Sequence, residues 1–243
     1  MRREVNQMNK NAGAKKPENP IDLETIAFQI RESYKTARTN IVYSIIKKGC
    51  KKIVFTSSGK GEGKTVTATN IAIALAQQVN TKVLIIECDL RRPQVHNALS
   101  IPFAPGITNY LNGECSREQI VRATNLENLF AVTYGAVPPN PSELLASHDM
   151  HDFVQCVEKE FDFIIFDTPP VGVVADAVPI IKQADGVVII VKHNYSTYPK
   201  LNKLIDSINR NGGKLLGIIV NGVETTKVKK GSYGYGYSSG YYA

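Results

Sequence analysis

Six short apolar runs recur along the middle of the chain: IVFTS (53–57), VLIIE (83–87), LFAVT (129–133), FIIFD (163–167), VVIIV (187–191) and LLGIIV (215–220). Successive strand residues point to opposite faces, so runs this uniformly apolar need cover on both sides of a sheet. Helical spacing is expected between them at Thr65–Val79, Ser142–Ala146, Asp149–Glu160, Asp176–Gln183 and Tyr198–Asn211. Alternation of buried strand and helix implies an α/β fold with a mainly parallel sheet covered by helices on both faces. Ligands of such sheets bind beyond the C-terminal ends of the strands.

The chain has 243 residues and is 43% hydrophobic, enough for one substantial core. That core is expected in one domain over residues 21–225. Residues 1–20 carry five basic and two acidic side chains and lack periodicity, so they read as a disordered basic arm. No apolar stretch follows them, which argues against a signal peptide and for the cytoplasm. No run of 18 apolar residues is present to span a membrane. Cys50, Cys88, Cys115 and Cys156 lie too far apart for a CxxC metal or redox motif and read as isolated thiols. The net charge of +7 admits nucleic acid, an anionic membrane or an acidic partner. No nucleic acid is expected, because the basic residues lack interleaved aromatics outside the C-terminal tail.

After the first run, SSGKGEGKT (57–65) ends in GKT and leads into a helix, which is the strand–loop–helix context of a P-loop. Gly59, Lys60, Gly61, Glu62 and Gly63 make the candidate phosphate cradle, with glycines letting backbone N–H groups converge on oxygen. Lys64 is placed to bridge terminal phosphates and Thr65 to offer its hydroxyl to magnesium. The usual first glycine is replaced by Ser58. These residues define a P-loop NTPase fold that takes ATP and Mg2+.

Phosphoryl transfer needs carboxylates to hold a metal and to orient the attacking group. VLIIECDLRRP puts Glu87 and Asp89 two residues apart, so that both are expected to project to one side. FIIFDTPP puts Asp167 at a strand end as in a Walker B strand. Ahead of the sheet, Ile26, Ile30, Tyr34, Ala37, Ile41 and Ile45 mark an amphipathic helix from Ile21 to about Ile46, with Asp22 as N-cap. Glu32, Lys35 and Arg38 share one face of it at i,i+3 spacing. PPNPSELL (138–145) reads as a proline-stiffened loop with Asn140 as cap and Pro141 at N1, near the site.

Beyond Val220 the pattern stops. Residues 226–243 read as a flexible tail in which Tyr233, Tyr235, Tyr237, Tyr241 and Tyr242 account for five of the chain's 11 tyrosines. At about 3.3 Å per residue, the stretch from Asn221 onward could reach roughly 75 Å, against a radius of gyration of about 18 Å for a domain of this size. Reaction with a neighbouring chain is sterically easy. Residues 227–243 hold three lysines and no acidic side chain. Five phosphotyrosines would add about −7.5 to −10 in charge. The unmodified tail is therefore expected to dock in a neighbour's acidic site and to be expelled on phosphorylation.

ESYKTARTN (32–40), the P-loop, VLIIECDLRRP, PPNPSELL, FDFIIFDTPP and the tyrosine-rich tail occur in the order found in bacterial tyrosine kinases of capsular and exopolysaccharide export. From Ile30 onward the chain resembles that family in its split cytoplasmic form. The resemblance implies an ATP-dependent protein-tyrosine autokinase, with Lys64, Asp89 and Asp167 catalytic, and Thr65, Asp89 and Asp167 at the metal. It implies modification of the five tail tyrosines and a ring-shaped homo-oligomer joined through Glu32, Lys35 and Arg38. It further implies a membrane adaptor that activates the kinase and holds it at the inner membrane face, a cognate tyrosine phosphatase, and control of polysaccharide synthesis and export. The family has Asp where this chain has Glu87, and Arg where it has Lys35. The alternative is an ATPase like those that position division sites or segregate DNA, which carry a lysine at the position of Gly59.

Overall fold

The computed structural model describes residues 23–171 and 173–223. The basic arm, Asp22 and the tail from residue 226 with its five tyrosines lie outside the described residues. Two compact units are distinguished, Met1–Ser33 and Tyr34–Ala243. Helix α1 (Leu23–Ser44) passes through their boundary. In the first unit, its described part is a helical stretch in which Ser33 donates to the Gln29 carbonyl and Phe28 and Ile30 are exposed.

The second unit contains β1 (Lys51–Ser57), α2 (Lys64–Ala76), β2 (Val83–Glu87), α3 (Val95–Leu99), α4 (Ile107–Leu111), α5 (Arg117–Ile120), β3 (Arg122–Ala123) and β4 (Leu129–Val132). It continues through α6 (Pro141–Leu145), α7 (His148–Val157), β5 (Phe163–Asp167), α8 (Val178–Ile181), β6 (Gly186–Lys192), α9 (Tyr198–Arg210) and β7 (Leu215–Asn221). The strands form one sheet in the order β3-β4-β2-β5-β1-β6-β7, parallel except for β3 against β4. All six expected strands are present.

Alternation along each strand divides the core. Ile53 and Phe55 of β1 and Ile85 of β2 pack with Ile71 and Leu75 of α2 and with Ile41 and Ile45 on one face. Val54, Ile86, Phe166 and Ile189 pack with Phe153 and Val157 of α7 and with Leu204 and Ile208 of α9 on the other. The sheet is thus covered on both sides, as its apolar runs require.

Helix α1 stops at Ser44, short of Ile46, which is exposed. The buried seam in the second unit narrows to Ile41 and Ile45. Helix α8 is a single turn with Pro179 at its start rather than the longer Asp176–Gln183. Asn140 and Pro141 occupy the cap and N1 positions, but the Asn140 amide donates to the Glu143 carboxylate at 3.1 Å instead of capping the backbone. Helices α3, α4 and α5, of four or five residues each, were not expected from periodicity, nor was β3. No helix among the described residues is long and apolar enough to cross a membrane.

Register places the candidate site. Strand β5 lies between β2 and β1, with Glu87 opposite Asp167 and Asp167 opposite Phe55. The three strands that carry the motifs therefore end side by side.

Candidate nucleotide site

The loop leaving β1 is anchored before it turns. The Thr56 hydroxyl donates to the Pro169 carbonyl at 3.0 Å and accepts from Val171 N–H at 3.2 Å, tying the loop after β1 to the loop after β5. Gly61 and Gly63 have φ of 74° and 86°, the left-handed region that glycine enters without a Cβ penalty. Helix α2 then begins at Lys64.

Lys64 is buried, and its ammonium lies 2.6 Å from Asp167 Oδ1 and 3.6 Å from Asp89 Oδ2. The Thr65 hydroxyl donates to the other Asp167 oxygen at 2.6 Å. Lys64, Thr65, Asp89 and Asp167 thus meet at one point. Burial pulls the Lys64 pKa down, but Asp167 and then Asp89 outweigh it and leave it raised. Burial likewise raises Asp89 against the opposing pull of Lys64.

Glu87 behaves differently from expectation. Its carboxylate is fully buried and accepts from Gln94 N–H at 2.9 Å and Val95 N–H at 3.0 Å, at the start of α3. It does not line the cleft, whereas Asp89 does. Strand geometry ends at Glu87, where the next residue, Cys88, donates its N–H to the Asp167 carbonyl at 2.8 Å and the chain turns. The two-residue alternation no longer holds there. Burial, followed by the charge of Asp167, pushes Glu87 up to about 8.

A cleft of about 880 Å³ opens above these groups. Gly59, Lys60, Gly61, Glu62, Gly63, Lys64 and Thr65 form one wall, with Pro169, Pro170, Val173 and Val174 among the residues of the others. Glu62 turns its carboxylate back onto Ser58 and Gly59 N–H, leaving its backbone to the loop. The exposed charges of the cleft are Lys60, Arg91 and Arg92, while its carboxylates are buried. The mouth of the cleft thus carries exposed cations, while Asp89 and Asp167 lie buried against Lys64.

Sequence reasoning did not single out Asp176, which is 1% exposed. It receives Arg91 through both oxygens, at 2.6 and 3.2 Å, and also the Ser142 hydroxyl. This joins the DLRRP and PPNPSELL loops to the start of α8. The sequence signal for it is Arg91, a cation in the DLRRP motif. On α1, Arg38 is half-buried and donates to the Ala74 carbonyl at 3.0 Å. Glu32 and Lys35 lie on the same helix.

A P-loop joining β1 to α2, with carboxylates at the ends of the neighbouring β5 and of β2, defines the class as a P-loop nucleotide-binding α/β protein. Residues 50–215 match the AAA domain family. The chain is 37% identical over 228 residues to tyrosine-protein kinase YwqD of Bacillus subtilis, covering 94% of this chain and 95% of that protein. It superposes on the kinase domain of the Escherichia coli tyrosine kinase ETK with a TM-score of 0.77 at 28% identity, covering 85% of this chain and 80% of that one. The cell-division ATPase MinD of Pyrococcus furiosus shares the fold, with a TM-score of 0.60 at 22% identity over 70% of this chain and 71% of its own. The chain belongs to the bacterial tyrosine-protein kinase family.

Proposed function

We propose that the chain is an ATP-dependent protein-tyrosine kinase whose first substrates are the tail tyrosines Tyr233, Tyr235, Tyr237, Tyr241 and Tyr242 of a neighbouring copy. The observation that carries this reading is the meeting of Lys64 with Asp167 and Asp89 at the foot of the cleft. The residues suit the expected nucleotide and ion. Thr65, Asp89 and Asp167 offer the oxygen donors a magnesium ion requires, and Lys64 with the Gly59–Gly63 backbone offers donors to phosphate. A bound magnesium would neutralise charge on phosphate oxygens.

In this reading Lys64 holds and orients the terminal phosphates. A tyrosine hydroxyl attacks the γ-phosphorus, the bond to the β-phosphate oxygen breaks, and ADP leaves. Asp89 accepts the phenolic proton. Its burial raises its proton affinity above that of an exposed aspartate, which suits an acceptor. Pro170 and Val174 give the cleft an apolar wall beside these groups.

The family resemblance extends the reading to a ring of subunits joined at Glu32, Lys35 and Arg38, to activation at the membrane by an adaptor's cytoplasmic end, to reversal by a tyrosine phosphatase, and to control of capsular or exopolysaccharide export. The test is incubation of the chain with ATP and magnesium, with and without an adaptor fragment, followed by mass spectrometry of residues 227–243. Phosphotyrosine there, lost in Lys64→Met, is the expected result. Steady phosphate release with unmodified tyrosines would instead point to a spatial-regulator ATPase.

A further inference from the structure

Glu62 sits in the candidate phosphate-binding loop, yet it is only 2% exposed. Its oxygens are engaged behind the loop. Oε1 accepts from the Ser58 hydroxyl at 2.7 Å and from the Ser196 hydroxyl, and Oε2 accepts from Gly59 N–H at 2.9 Å. Its main-chain carbonyl accepts from Asn221 Nδ2 at 2.9 Å. The same amide donates to the Thr67 hydroxyl at 2.9 Å, which in turn donates to the Gly63 carbonyl at 2.9 Å. Asn221 also closes the open side of Gly63, where a β-carbon would stand 2.6 Å from Nδ2. The P-loop, the turn between β6 and α9, and the last residue of β7 therefore converge on Glu62.

We propose that Glu62 and Asn221 form a latch that pre-orders the P-loop and couples nucleotide occupancy to the C-terminal end of β7, from which the tyrosine-bearing segment departs. This rests on the reading of the P-loop as the nucleotide site. Three glycines, Gly59, Gly61 and Gly63, leave the unheld loop with large conformational freedom, and any freedom removed beforehand need not be removed on binding. Coupling is reciprocal: if a held loop binds nucleotide more tightly, bound nucleotide must hold Asn221 more tightly. Only eleven residues lie between Asn221 and Tyr233. Occupancy of the cleft is thereby communicated to the root of the substrate segment. Both residues are positioning residues, acting through the loop.

The test compares the full-length chain with Asn221→Ala, Ser196→Ala and Glu62→Ala, using Mg-ADP as the probe and calorimetry to measure binding. Loss of one or two loop hydrogen bonds is expected to weaken Mg-ADP about fivefold to tenfold in Asn221→Ala and Glu62→Ala, and about twofold in Ser196→Ala. For Asn221→Ala the KM for ATP should rise by a similar factor while kcat stays within about twofold, the pattern of lost uniform binding. Hydrogen exchange at residues 218–223 should slow on adding Mg-ADP in the unaltered chain and not in Asn221→Ala. A purely structural residue would alter exchange equally with and without nucleotide. Unchanged Mg-ADP affinity in Asn221→Ala, or equal protection of residues 218–223 in both proteins, overturns the latch alone. Should Glu62→Ala not fold, the Asn221 and Ser196 variants still decide. An unaltered chain that fails to bind Mg-ADP overturns both the latch and the nucleotide-site reading beneath it.

Discussion

Lys64 Nζ and Asp167 Oδ1 lie 2.6 Å apart, joining the first residue of α2 to the last residue of β5. Asp89 completes the arrangement from the loop after β2. One buried ammonium thus faces two carboxylates, leaving the group one negative charge in excess.

Breaking this group from either side should be costly for stability as well as for activity. Removing one member of a buried ion pair leaves an uncompensated charge, typically destabilising by about 3–5 kcal/mol. Because Asp89 remains 3.6 Å from Lys64, Asp167→Ala is expected at or below the low end of that range by urea unfolding. Lys64→Met should lower tail phosphorylation about 100-fold or more, as loss of a charge-stabilising group does. The double variant Lys64→Met/Asp167→Ala should unfold at higher urea than the sum of the single losses predicts. Simple additivity would show that the pair is not coupled.

Glu87 gives the chain a pH dependence of definite sign. Its pKa in the fold is pushed up to about 8 by burial and then by Asp167, above the ordinary value of 4.5. The folded state therefore holds a proton that the unfolded state releases, so this contribution to stability is full below about pH 4.5 and is lost as pH rises through about 8. Asp89, also raised, acts with the same sign. Unfolding free energy should decline from pH 5.5 to 8.5, and Glu87→Gln should flatten much of that decline. An identical slope in the variant would remove Glu87 as its source.

The parts of the fold that were legible in the sequence are those enforced by burial on both faces. Strand β5, FIIFD, needs cover on each side wherever it lies. Strand β3, two residues long, and helices α3 to α5, four or five residues long, span too little chain to express a period. The same contrast holds at the site. Lys64, Thr65, Asp89 and Asp167 are brought together because each stands at or after the end of a strand that the sheet aligns. Glu87 was misjudged, since strand alternation was carried past the residue where the strand ends. Asn221 meets Glu62 across 159 positions and Arg91 meets Asp176 across 85, relations that only the assembled sheet creates.

Asp176 is expected to matter more than its neighbours suggest. It is almost wholly buried and satisfied by Arg91 and Ser142. Loss of hydrogen bonds to a charged group makes Asp176→Ala destabilising by about 1–3 kcal/mol. Arg91 then loses its fixed position at the cleft, so the KM for an acceptor peptide should rise more than the KM for ATP. Burial favours the protonated acid, but the Arg91 and Ser142 bonds outweigh it and hold the pKa below the ordinary value. That contribution is present above pH 3.8 and is lost as pH falls through the lower folded value. A variant with unaltered acid stability and both KM values unchanged would count against this role.

The surface charge of the cleft decides which form of the tail it prefers. Lys60, Arg91 and Arg92 are exposed there, whereas Asp89 and Asp167 are buried against Lys64. An unmodified peptide of residues 227–243 carries three lysines and is repelled by that mouth, while the five-fold phosphorylated peptide, bearing about −7.5 to −10 from its phosphates, is attracted. Product, rather than substrate, should therefore linger. The phosphorylated peptide should inhibit the kinase more strongly than the unmodified one. Raising ionic strength should relieve that inhibition, because exposed charges are screened within about 10 Å at 0.1 M salt. Arg92→Ala, which removes one exposed cation, should weaken the inhibition about twofold to fivefold, the range of an exposed ion pair. Equal inhibition by the two peptides, or no response to salt, would show that the mouth does not discriminate by charge.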